Sequence, residues 1–231
     1  MNETLFDVLR SVDTPTVCNA IEAAQGKRGF NNFTKGTMIA SAPEEKAVVG
    51  YALTAKIAAA APPQEPAEGL KERRMAYYKY MAEGRRPSVA VIEDCDFPDC
   101  QGAFWGEINT NVHKGFGVSG VVTNGVVRDL GDLPNGFPVI AGSIGPSHAF
   151  VHVKEFSTPV SVLGLEVQEG DLIHADRHGA LVVPSSVIPS LQQAIEKLIA
   201  TEKLVLDPAT KPDFDFEAFA EAWAAFEAAR T

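Results

Sequence analysis

Cysteine is scarce: a chain of 231 residues has three, Cys18, Cys95 and Cys100. An odd set without CxxC spacing builds neither a disulfide framework nor a zinc knuckle and fits free thiols in a reducing cytosol, so no catalytic role is assigned to them. Long hydrophobic runs are absent too. Nowhere do 18 apolar residues follow one another, and Met1-Asn2-Glu3-Thr4 shows no basic run ahead of an apolar core. A cytoplasmic protein without a membrane span is therefore the expectation. Positive charge is short: 20 Lys and Arg face 30 Asp and Glu, a net charge of −10. That field repels phosphate backbones and anionic bilayers, which argues against nucleic-acid binding as the main task. No G-x-S-x-G elbow of an α/β-hydrolase and no internal repeat is present.

What is there is ample core material, 45% hydrophobic residues, enough for one domain over residues 1–231 with a helical appendage. Leu5, Val8, Leu9 and Val12 fall at helical spacing, and Asp13-Thr14-Pro15 reads as a cap and first-turn proline for a second helix ending at Gly26. The β-rich run AVVGYALTAKIA (47–58) leads through a proline-rich loop to a helix over 70–83. Ser88–Glu93 reads as a buried strand, Phe104–Lys114 as a helix and Gly120–Thr123 as a strand. FPVIAGSI, AFVHVKEF, VSVLGLEV, DLIHA and GALVVP each read as one further strand-like run. More sheet is crowded here than a simple βαβ repeat needs, so the body is expected to be a mixed α/β sandwich or barrel. From 186 to 231 a helical arm follows. It has Val187, Leu191, Ile195, Leu198 and Ile199 on one face and a second helix at 214–229, and its apolar face is expected to pack on a neighbouring subunit.

Chemistry concentrates in WGEINTNVHKGFGVSGVVTNGVVRDLGD, residues 105–132. Its GFGVSG (115–120) matches G-x-G-x-x-G, but it follows a helix and opens a strand, the reverse of a dinucleotide site, so these glycines read as turn and packing residues. Beyond the Asn124-Gly125 turn, Arg128 offers a planar fork for a carboxylate and Asp129 a hard oxygen for Mg²⁺ or Mn²⁺. A surface salt bridge is the bland alternative for any Arg-Asp dipeptide.

The pattern resembles the 4-hydroxy-4-methyl-2-oxoglutarate aldolase and RraA-like family, whose signature is an acidic residue, twenty residues, then Arg-Asp. Glu107 and Arg128-Asp129 reproduce that spacing. GVVTNGVVRD, Pro138–Gly142 and HADRHGALVVPSSV (174–187) extend the likeness over roughly 88–205. The resemblance implies an α/β fold of αββα type with a mixed, barrel-like sheet and a C-terminal arm, assembled as a homotrimer or homohexamer. It implies that Asp129 ligates a divalent metal, Mg²⁺ or Mn²⁺. Arg128 would bind the pyruvyl carboxylate and steady the enolate, and Glu107 would hold metal-bound water. The N–H groups of Gly106, Glu107, Ile108 and Asn109 would grip the substrate's carboxylate. Glu202, with Glu196 as fallback, would reach in through water from an adjacent subunit. Three features depart from the family pattern. Glu107 stands where Asp is usual, Asn124 stands where Asp is common, and the 59–87 segment with KERRMAYYKYM looks long and could line or cover the site.

The implied activity is retro-aldol cleavage of 2-oxo acids and oxaloacetate decarboxylation through one enolate. The rival from another class is a non-catalytic regulator of the RraA kind, docking on a partner such as ribonuclease E. A sugar-acid or hydroxy-acid lyase is a third reading. A Schiff-base lysine, Lys114, and a soft-metal pair, His148 and His152 on one strand face, are lesser alternatives. His174, Asp176 and His178 read as fixing a tight turn, with Asp176 structural.

Overall fold

The structure, a computed structural model, describes residues 3–230. Met1 and Asn2 of the N-terminal reading and Thr231 at the end of the arm lie outside the described residues. In chain order the elements are α1 (Glu3–Ser11), α2 (Thr14–Gln25), β1 (Ile39–Ala40), β2 (Val48–Ala58), α3 (Ala67–Glu83), β3 (Ser88–Asp94), β4 (Ala103–Trp105), α4 (Glu107–Gly115), β5 (Val118–Thr123), β6 (Val126–Val127), β7 (Val139–Ala141), β8 (Ser143–Ile144), β9 (His152–Phe156), β10 (Val160–Val162), β11 (Leu165–Val167), β12 (Leu172–Asp176), β13 (Gly179–Val183), α5 (Ile188–Ala209) and α6 (Phe216–Arg230). They form two compact units, one from the N-terminus to Thr14 with Asn31–Pro184, the other from Pro15–Phe30 with the chain from Ser185 onward.

In the larger unit a mixed sheet runs β1-β7-β5-β3-β2-β12-β13, with β9 added against β2. Its centre, β2, β3, β5 and β7, is parallel, and β12 and β13 close one side antiparallel. Parallel neighbours need crossovers, which α3 supplies between β2 and β3 and α4 between β3 and β5. Strands buried on both faces read as continuous apolar runs, as in SVAVI of β3. One face packs Leu53, Ile57, Ile92 and Val121 against Tyr77, Met81, Phe104 and Trp105. The other packs Val89, Val91, Val122 and Ile173 against Val160, Val162, Leu165 and Val167 of the β10–β11 hairpin.

Three sequence expectations are corrected here. Phe104 and Trp105 do not begin a helix: they lie in β4, and α4 starts at Glu107. VSVLGLEV is not one strand but a hairpin, turned by Leu163 and Gly164, both at positive φ (48° and 76°). Positive φ at both central residues is the geometry that suits tight two-residue hairpins. FPVIAGSI divides at Gly142 between two sheets, because β4, β6 and β8 form a small parallel sheet of their own.

The two passages into that small sheet are tied together. The N–H groups of Gly142 and Ser143 both donate to Gly125 O, at 3.1 and 3.2 Å. A Cβ on Gly142 would stand 2.2 Å from Asn124 O, so only glycine permits the crossing. Asn124 in turn clasps the end of β3, accepting from Asp94 N at 2.6 Å and donating to Asp94 O at 3.1 Å. Burial pushes the Asp94 carboxyl upward.

In the smaller unit Val17, Ala20 and Ile21 of α2 and Leu191 and Ile195 of α5 are buried. α5 packs against α6. Phe216, Phe219, Trp223 and Phe226 form a file of ring contacts along α6, and Phe216, Phe219 and Trp223 stay exposed.

Candidate functional site

The small parallel sheet explains why the acidic and Arg-Asp parts of the motif meet. β6 pairs β4 through Val126↔Ala103 and Val127↔Trp105, and β8 through Val127↔Ile144. One step further Arg128 N donates to Trp105 O at 2.9 Å. Arg128-Asp129 and the start of α4 therefore leave the carboxyl ends of adjacent parallel strands, where open α/β sheets place their ligands.

The first turn of α4 begins at Gly106, which has extended backbone and no side chain to cap the helix. Asp129 takes that part: its Oδ2 accepts the Glu107 N–H at 3.1 Å. A carboxylate at a helix N-terminus is favoured by the dipole as well as by the hydrogen bond. The approach is close, since a Cβ on Gly106 would meet Asp129 Oδ2 at 2.5 Å and Arg128 Nε at 2.9 Å. Asp129 adopts φ 56°, a left-handed conformation that Asp tolerates at a cost and that gathers at functional sites. Gly106 O is held from within the helix by Thr110 N at 3.1 Å and Thr110 Oγ1 at 2.9 Å. Sequence reasoning passed over Thr110 and the Trp105 carbonyl, because neither residue type signals such a role without the fold.

Arg128 Nε lies 3.5 Å from Asp129 Oδ2, with the two side chains 32% and 33% exposed. The contact is an ion pair without hydrogen-bond geometry, and Nε is buried with no hydrogen-bond partner among the described residues. A buried guanidinium nitrogen left in that state points to an acceptor that the chain itself does not provide. Glu107 and Ile108 are exposed, and Asn109 is half-buried with its amide held by Phe104 O and Tyr78.

The donor set bears on the metal that the resemblance implies. Asp129 turns one oxygen to the helix and makes no hydrogen bond through the other among the described residues, while Glu107 leaves a second carboxylate nearby in exposed position. No cluster of three or more His, Cys, Asp or Glu is arranged as a cage among the described residues. Hard oxygens in small number suit Mg²⁺ or Mn²⁺ with several retained waters, so the residues present fit such an ion.

Other candidates fall elsewhere. Lys114 is exposed at the C-terminal turn of α4 and donates to Asn135 O at 2.5 Å. His148 precedes β9 and His152 opens it; their Nδ1 atoms contact the carbonyls of Ala149 and Phe150, so the shared strand face expected for the pair is not formed. His174 is buried between Thr14 Oγ1 and Leu9 O, and burial lowers its pKa. Asp176 accepts from Thr14 N and from His178 N. Glu202 is half-buried on α5, and Glu196 accepts from Gln192 at 3.0 Å. Two open clefts, about 240 and 390 Å³, lie around Arg10, Glu45 and Lys46, and neither is lined by Glu107, Arg128 or Asp129. No helix among the described residues is long and apolar enough to cross a membrane.

Known proteins resemble this chain in sequence or in fold. DlpA of Legionella pneumophila is 30% identical over 126 residues, 52% of this chain but only 19% of DlpA's own length. A protein of Halalkalibacterium halodurans, provisionally named 4-hydroxy-4-methyl-2-oxoglutarate aldolase, is 25% identical over 84% of this chain and 83% of its own. RraAS2 of Streptomyces coelicolor, described as an unusual member of the RNase ES inhibitor RraA family, matches in fold with a TM-score of 0.64 at 22% identity, over 91% of this chain and 98% of that one. The sequence profile of the RraA-like family, described as Aldolase/RraA, matches residues 14–182, reaching further toward the N-terminus than the 88–205 likeness and stopping short of the arm. The chain belongs to the RraA-like family.

Proposed function

We propose that this protein is a divalent-metal-dependent lyase acting on small 2-oxo acids. It would cleave substrates like 4-hydroxy-4-methyl-2-oxoglutarate to pyruvate and decarboxylate oxaloacetate. The observation that carries the reading is the convergence of Arg128, whose buried Nε lacks a hydrogen-bond partner among the described residues, with Asp129 and the N–H groups of α4.

The residues divide the work by their chemistry. The Arg128 fork and the free N–H groups of Ile108 and Asn109 hold the substrate carboxylate, a planar anion between a guanidinium and a helix start. Asp129 would hold the cation directly, with Glu107 and an adjacent subunit's Glu202 acting through water. When bound, the cation supplies Lewis-acid stabilisation of the enolate charge. In the aldol cleavage the C3–C4 bond breaks, its electron pair passes to C3, and the 4-hydroxyl gives up its proton. Glu107 would hold the water that takes this proton and returns one to C3. Decarboxylation breaks the bond to the C4 carboxyl instead and leaves the same pyruvate enolate. A homotrimer or homohexamer would bring Glu202 to the site.

Pyruvate release from both substrates, with Mg²⁺, with EDTA and with Arg128→Ala, tests the reading. Metal-dependent turnover lost in the variant supports it, and none above the metal-only blank in folded protein overturns it. One observation favours a rival, a regulator docking on a protein partner: Ile108, Leu130 and Ile144 next to the motif are exposed, Ile108 at 74%. That rival gives a partner complex and no turnover.

A further inference from the structure

The helix over the segment that looked long, α3, hydrogen-bonds to α4 through two successive tyrosines. Tyr78 OH donates to Asn109 Oδ1 at 2.6 Å, and Asn109 Nδ2 donates to Phe104 O at 2.6 Å. That amide is thereby fixed at both ends, between α3 and β4. One turn further along α4, His113 Nδ1 lies 2.6 Å from Asn109 O and its Nε2 lies 2.8 Å from Tyr77 OH.

The proton positions follow from the partners. A carbonyl oxygen only accepts, so His113 Nδ1 carries the hydrogen. Burial keeps the ring neutral, with its pKa pushed down to about 4, so Nε2 is bare and the Tyr77 hydroxyl donates to it. Both tyrosine hydroxyls therefore point their hydrogens at α4, and both lines end on Asn109, one at its side chain and one at its carbonyl. Tyr77 and His113 are fully buried, and such a chain of polar groups costs stability compared with apolar packing unless every member is satisfied. Gly106 gives the turn no side chain of its own to fix it, so beyond the Asp129 cap on Glu107 N its orientation depends on what grips Asn109 and Thr110.

We propose that Tyr78 and Tyr77, acting through Asn109 and His113, are positioning residues for the first turn of α4. The 59–87 segment braces the carboxylate-gripping N–H groups and sets substrate affinity through them. The assignment of a carboxylate to that turn rests on the lyase reading above, whereas the bracing itself does not.

The test compares Tyr78→Phe and Tyr77→Phe with Tyr80→Phe, a control in the same helix whose hydroxyl accepts from Thr54 N at 3.0 Å and does not lead to α4. Two readouts are taken on the folded protein: amide hydrogen exchange over residues 106–110, and KM and kcat for oxaloacetate with Mg²⁺. Tyr78→Phe is expected to speed exchange at Glu107 and Thr110, the amides of this turn that are hydrogen-bonded, and to raise KM about three- to tenfold, the effect of one lost hydrogen bond, with kcat within about twofold. Tyr77→Phe is expected to act in the same direction. Tyr80→Phe is expected to lower Tm comparably and move neither readout. Equal exchange and equal KM in Tyr78→Phe and Tyr80→Phe overturn the proposal. If the wild type shows no turnover, the lyase reading fails, and exchange alone decides the bracing: acceleration confined to 106–110 upholds it, none overturns it.

Discussion

Asp129 caps the helix of Glu107 from a left-handed backbone, its Oδ2 3.1 Å from the Glu107 nitrogen at φ 56°. The residue contributes a cap and bears strain at once, so substitutions there separate stability from activity. Asp129→Gly loses a cap of about 1 kcal/mol and relieves strain of similar size; Asp129→Ala loses the cap and keeps the strain. Both variants should lose metal-dependent pyruvate release, while Asp129→Gly melts higher than Asp129→Ala. The opposite order in Tm would show that the backbone is not strained in solution.

Arg128→Lys keeps the charge and loses the fork. With carboxylate recognition dependent on two parallel N–H donors, kcat/KM should fall about a hundredfold or more. The fold should suffer little, because the Nε that is removed makes no hydrogen bond among the described residues and Lys keeps the charge that faces Asp129. Steady-state kinetics beside a thermal melt checks both halves; a variant with near-normal kcat/KM would remove Arg128 from the site.

Gly106→Ala places a methyl 2.5 Å from Asp129 Oδ2 and 2.9 Å from Arg128 Nε. It should displace the pair and abolish activity in protein that still folds, because the crowding is with side chains. Gly142→Ala collides with backbone at 2.2 Å and should fail to give soluble protein. Far-ultraviolet circular dichroism and solubility distinguish the two outcomes.

Acid should unfold the protein through its buried histidines. An unfolded histidine titrates near 6.5, whereas His113 is held at about 4 and His174 is lowered by burial. As pH falls from about 6.5 to about 4 the unfolded chain takes up protons that the folded chain refuses, so stability drops, by on the order of 3 kcal/mol for His113. The raised Asp94 carboxyl acts in the opposite sense, since it is more easily protonated when folded. Urea melts between pH 7.5 and 4.5 should show the loss, and His113→Gln should narrow its gap to wild type as the pH falls. A constant gap would refute the assignment.

Much of this was legible in the sequence because it rests on local chemistry. The Thr14-Pro15 start of α2, the apolar run of β3 and the placing of Arg128-Asp129 after a strand all follow from caps, periodicity and turns. What was hidden depends on distant chain. Phe104 and Trp105 are strand because β6 pairs with them, and two aromatics ahead of an acidic residue look equally like a helix start. Gly142 divides its run only because Asn124 O stands where a Cβ would be. Leu163-Gly164 turns tightly without the Asn-Gly that announces such turns. Tyr77 and Tyr78 read as two aromatics in a helix, and nothing in their spacing points to Asn109 and His113.

The small sheet of β4, β6 and β8 carries one last implication. The motif from Trp105 to Asp132 is contiguous in sequence, yet the strand that flanks β6 on its far side comes from Ser143–Ile144, beyond the motif's end. An excised peptide would hold Glu107, Arg128 and Asp129 and lack the edge that keeps them in register. The signature is portable as text but not as an object.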